Sequence, residues 1–194
     1  MNSTTFPLPS SRTVHRHRWL AGCARRVLVE HGYSGLTPRR VAWMAGTDDE
    51  AVRWTYSDRG ALAVAAVTGN LPTFRTTDEA PSLHAVQLWR DAVGRRAQAA
   101  IGPLEALVDS DGVSAAVLDE VHRRLVGPTR RALDEILDDG SQAVERDLLC
   151  AATWATAMIE AACRGSVGDV PGLRHVVTFV MRPLPASRRM ALVA

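Results

Sequence analysis

The chain has 194 residues, 46% of them hydrophobic, enough for a packed core and too many for a disordered polyelectrolyte. Its 23 basic and 21 acidic side chains leave a formal charge of +2, so bulk charge does not mark a nucleic-acid partner. The longest uncharged apolar stretch, Leu148 to Ile159, is shorter than the ~20 residues that span a bilayer, and no apolar signal core opens the chain, so a cytoplasmic protein without a membrane partner is expected.

Residues 1–12 read as a disordered arm. From about Thr13 to His31, Leu20, Cys23, Ala24, Val27 and Leu28 recur at helical spacing, and Gly32 ends that helix. Thr37 as N-cap and Pro38 at the first position open a short helix, which Gly46 closes. Asp48 caps a third helix to about Tyr56, and Asp58 caps a fourth that runs to Gly69. Leu71 to Ser82 reads as a loop. A helix from about Leu83 to Ile101 is expected to break at Gly102-Pro103, with a short helical piece at Leu104, Leu107 and Val108 beyond it. After a turn over Asp109–Ser114, a helix from about Ala115 meets Gly127-Pro128, which kinks or restarts it on the way to Leu137. A turn over Asp138–Ser141, a helix from Ala143 to Arg164 and a last one from Gly172 to Met181 complete the pattern, closed by Pro183 and Pro185. No segment alternates with period two. The expected fold is all-α, with about nine helices.

Charge is unevenly spread. Residues 1–70 hold nine Arg against five acids, and the rest of the chain holds fourteen Arg against sixteen acids. A phosphate backbone would select such a basic end, although a solvated basic face has the same composition. Every basic side chain is Arg and none is Lys, which fits a GC-rich genome as well as it fits phosphate recognition. Cys23, Cys150 and Cys163 form no CxxC pair and suit a reducing compartment as small core residues. His84, His122 and His175 are too scattered to indicate a metal site. Asp109-Ser110-Asp111-Gly112 lacks the glycine and ligand positions of a calcium loop. No spacing singles out a nucleophile, and no cofactor motif occurs, so neither an enzyme nor a cofactor is expected.

Three short helices in about 45 residues, with glycine at the tight turn, make a helix-turn-helix. The stretch from Trp19 to Leu62 resembles the DNA-binding domain of the TetR family of transcriptional regulators. The resemblance is carried by Leu20, Ala24, Val27, Leu28, Glu30-His31-Gly32-Tyr33, Thr37, Val41-Ala42, Ala45-Gly46, Val52, Tyr56 and Leu62. It implies a helix-turn-helix domain over 13–57, a helical ligand-binding and dimerisation domain over 58–186, and a flexible tail over 187–194. It further implies a homodimer on double-stranded DNA, acting as a repressor released by a small-molecule effector. The candidate DNA contacts are Thr37, Arg39 and Arg40 on the second helix, Asp49, Glu50, Arg53, Trp54 and Thr55 on the third, and Arg59 on the fourth. Arg12, Arg16 and Arg18 are candidates for a basic arm.

The sequence departs from the family pattern at the recognition helix. Asp48, Asp49 and Glu50 stand where the family carries a Ser, a small residue and a Gly. Arg53 replaces a Tyr, Thr55 a frequent His, and Arg59 a Lys. The carboxylates favour the helix dipole but oppose phosphates. They could accept from cytosine amino groups. Alternatively, they mark a relative that kept the fold, lost operator binding, and now serves as a small-molecule-binding protein or enzyme.

The helix from Ala143 to Arg164 is apolar on two sides. One stripe holds Leu148, Ala152, Ala155, Ile159 and Ala162, and the other Ala151, Trp154, Met158 and Ala161. A helix of that kind must be covered twice. In the resembled family the last two helices of each subunit build the dimer interface, which here implies Ala151, Met158, Val177, Val180 and Met181. An apolar effector pocket is expected against Trp89, His122, Trp154 and Met158, which could equally be ordinary core.

Overall fold

The computed structural model describes residues 11–73, 82–137, 143–165 and 173–182. The turn expected at Asp138–Ser141, the closing prolines Pro183 and Pro185, the tail, and most of the arm lie outside these residues. Among the described residues there are eight helices: α1 (Ser11–Gly35), α2 (Pro38–Ala45), α3 (Asp49–Thr55), α4 (Arg59–Thr68), α5 (Leu83–Val108), α6 (Ala115–Ile136), α7 (Ala143–Gly165) and α8 (Leu173–Val180). No strand occurs among the described residues, so the chain is all-α as its periodicity implies.

α1 carries a non-helical residue at Gly32 (φ 65°, ψ −176°), where the sequence ends the helix, and a short turn to Gly35 follows. Arg16 and Arg18 lie inside α1 as exposed residues. They therefore extend from a helix, not from an arm.

α5 differs from expectation. It runs unbroken through Gly102-Pro103, which accounts for eight helices where about nine were expected. Pro103 removes one helical donor, yet Ala100, Pro103, Leu104 and Leu107 are all buried. That i, i+3, i+4, i+7 face stays packed only if the helix continues.

α6 likewise passes through Gly127-Pro128. Pro128 has no N–H, so the carbonyl of Arg124, four residues back, loses its helical donor. Arg96 of α5 supplies one from outside. Its Nη2 donates to Arg124 O (3.2 Å) and Leu125 O (3.4 Å), and its Nη1 to Pro72 O (2.7 Å). The guanidinium is buried, its Nε has no hydrogen-bond partner, and burial lowers its pKa from the usual arginine value. One turn on, Thr129 O accepts from Trp89 Nε1 (2.8 Å), and Thr129 Oγ1 accepts from Trp154 Nε1 (2.9 Å) while donating to Val126 O (2.6 Å). The interrupted middle of α6 is thus tied to both neighbouring helices.

One continuous cluster of buried side chains runs from Leu20 of α1 to Val180 of α8. Arg130 of α6, itself buried, pairs with the more exposed Asp134 and with Asp147 of α7, and Arg146 reaches Asp134 at 3.2 Å. The α5–α6 turn contacts α1 and α8. Ser110 Oγ accepts from Tyr33 N (3.0 Å) in the last turn of α1, and Asp109 pairs with His175 of α8 (2.8 Å).

The expected dimer residues divide. Met158 and Val180 are fully buried in the chain's own core. Ala151 and Val177 are half-buried and Met181 is exposed. Val144, Leu148, Leu149, Ala152 and Ile159 of α7 are exposed.

Candidate nucleic-acid interface

The helix-turn-helix is assembled from local chemistry. Thr37 Oγ1 accepts from Arg40 N (3.3 Å) to cap α2, and Pro38 follows where a missing N–H is harmless. Gly46 closes α2 in the left-handed region (φ 66°, ψ 36°), where a side chain would be strained. Asp48 Oδ1 accepts from Ala51 N (2.6 Å) to start α3, and Asp58 Oδ1 from Ala61 N (2.8 Å) to start α4. The Ala61 bond is the main reason the Asp58 carboxyl is held below its usual pKa. Leu20, Ala24, Val27, Leu28, Val41, Val52 and Leu62 are buried together. Val52 is the single buried residue of α3, and it locks that helix to the lobe. Tyr56 Oη donates to His17 O (3.1 Å), and Trp19 Nε1 to Ala45 O (3.3 Å).

Seven of the nine expected contact residues are exposed: Arg39, Arg40, Asp49, Glu50, Arg53, Trp54 and Arg59. The other two, Thr37 and Thr55, are half-buried with their hydroxyls engaged. Thr37 is the cap, and Thr55 Oγ1 donates to Ala51 O (2.9 Å). Arg40 Nη1 donates to Gly35 O (3.4 Å), and the Arg59 guanidinium lies 5.6 Å from the centre of the Tyr33 ring. Asp49 Oδ2 lies 3.6 Å from Arg53 Nη2, and Glu50 Oε1 accepts from Trp54 Nε1 (3.4 Å).

Sequence reasoning did not single out Trp43. It is 83% exposed, as is Trp54, and it forms a wall common to two surface clefts. One of these contains Arg39, Thr47 and Asp49, and the other Glu30, His31 and Arg40. The available signal was its place beside, not on, the buried pair Val41–Ala42. Position 43 points outward when 41 and 42 point in.

The residues expected to line an effector pocket sit in the core. Trp89, His122, Trp154 and Met158 are all buried, and both indole N–H groups are satisfied at Thr129. His122 Nε2 is 3.5 Å from Val180 O, and the ring meets Phe179 edge-on at 5.4 Å. Desolvation lowers the His122 pKa below its ordinary value. The surface clefts around Trp43 and Trp54 are lined by other residues.

No family model matches the chain, and no curated protein matches it. Among solved structures, a Mesorhizobium loti protein described as a "putative TetR-family transcriptional regulator" aligns with it at 15% identity. The alignment covers 86% of this chain and 78% of that one, with a TM-score of 0.33. So loose a superposition assigns neither family nor function.

Proposed function

We propose that this chain is a DNA-binding transcriptional regulator that acts as a homodimer on duplex DNA. The observation that carries the reading is the capped α2–turn–α3 unit, whose outward residues include Arg39, Arg40 and Arg53 while Val52 anchors the third helix inward. In such a unit the first helix meets the phosphates and the second enters the major groove. The basic end of the chain supplies the sequence-independent attraction.

The test is binding to duplexes recovered by unbiased selection at low salt. Affinity is expected to fall as salt rises, with a log–log slope of about −0.9 per neutralised phosphate. Arg39→Ala and Arg40→Ala should each weaken binding on all sequences alike and reduce that slope by about 1. Recovery of no duplex by a correctly folded protein would refute the reading and favour a repurposed fold.

The dimer is placed on the outward stripe of α7. Leu148, Ala152 and Ile159 are exposed there, on either side of buried Ala155, and clustered exposed apolar side chains mark an interaction site. Two-fold pairing would also set two α3 helices about one DNA turn apart, ~34–36 Å. Sedimentation should show a dimer at micromolar concentration, and Leu148→Arg combined with Ile159→Arg should yield a folded monomer. A monomeric parent protein, or a double variant that still dimerises, would remove α7 as the interface.

A further inference from the structure

The three acids that open α3 all have work inside the helix. Asp48 caps Ala51 N, Asp49 pairs with Arg53, and Glu50 accepts from the Trp54 indole N–H. Residues 49, 50, 53 and 54 are exposed and Val52 is buried. The outer face of α3 is therefore two carboxylates, each held to the larger side chain one turn on. An indole left 83% in water is an uncovered apolar surface, and its N–H donates to Glu50 Oε1 (3.4 Å).

We propose that Arg53 and Trp54 are the base-reading pair of α3, with Arg53 forking onto a guanine and Trp54 covering the 5-methyl group of a neighbouring thymine, and that Asp49 and Glu50 are positioning residues that hold them. The inference rests on the duplex-DNA reading above and names its targets. Arginine offers a planar fork that suits guanine O6 and N7, and apolar side chains recognise the thymine methyl. Asp49 engages one Nη of Arg53 and leaves the remaining N–H groups for a base edge. The acids weaken the attraction to phosphate and in exchange orient two readers.

Unbiased selection with the full chain is expected to return half-sites in which guanine stands next to thymine. Replacing that thymine by uracil removes only the methyl group and should weaken binding about four-fold per site, the worth of one buried methyl. Trp54→Ala should bind the thymine and uracil duplexes equally. Glu50→Gln keeps an oxygen acceptor for the indole, so it should retain the thymine preference while binding all DNA more tightly. Glu50→Ala should lose the preference with its helical content, read by circular dichroism, unchanged. A selected site at which uracil is as good as thymine, with preferences unaltered by Trp54→Ala, would overturn the proposal and leave the duplex-DNA reading standing. Full thymine discrimination in Glu50→Ala would overturn the positioning role of Glu50. Failure to select any duplex would instead overturn the duplex reading, and this inference with it.

Discussion

Trp154→Ala is expected to lower the unfolding free energy by about 3–5 kcal/mol, read from urea denaturation followed by circular dichroism. The side chain is fully buried and is held at Thr129 Oγ1 by a 2.9 Å hydrogen bond. Truncation removes its apolar contacts, opens a cavity among core residues of α5, α6 and α7, and strips an acceptor of its donor. Against a total of about 5–15 kcal/mol for a domain, that loss is a large share. Trp154→Phe keeps most of the bulk and loses the N–H, so it should cost less, about 1–3 kcal/mol. A cost below about 1 kcal/mol for Trp154→Ala would show that α7 does not pack against the middle of α6 as described.

Arg96→Met should cost about 3 kcal/mol, since a charged donor to a buried carbonyl contributes ~1.5–3 kcal/mol and several such bonds are lost together. The sharper measurement is the double-mutant cycle with Pro128→Ala. In the parent chain Arg124 O has no helical donor, because residue 128 is proline. Alanine at 128 restores an N–H to that carbonyl. The cost of Arg96→Met should then shrink by about 1 kcal/mol in the Pro128→Ala background. Additive costs would mean that Arg96 does not compensate for the proline. Because Nη1 also holds Pro72 O (2.7 Å), Arg96→Met should in addition loosen the segment after α4. Faster amide exchange at Asn70, Leu71 and Thr73 would report it.

Much of the helix-turn-helix was legible because its determinants act within one or two turns. Thr37, Asp48 and Asp58 cap the backbone three residues on, and Gly46 and Gly32 take the positive φ that other residues avoid. Such chemistry depends on neighbours in the chain, so spacing and residue type reveal it. The exposure of Arg39, Arg40, Arg53 and Trp54 followed for the same reason, from the buried positions between them.

Only the tertiary structure decided the rest. Gly102-Pro103 reads locally as a break, but the buried face at Ala100, Leu104 and Leu107 holds α5 together across it, and packing outweighs one lost hydrogen bond. Pro128 reads locally as a defect in α6, and its compensation comes from Arg96, thirty-two residues earlier in the chain. No local pattern could pair them. The helix α7 is apolar nearly all round, so sequence alone did not decide which side is core. Contact with α5, α6 and α8 turns Trp154 and Met158 inward, covers Ala155 and Ala162 of the other stripe as well, and leaves Leu148 and Ile159 outside, because only the neighbouring helices determine which apolar side chains lose their water.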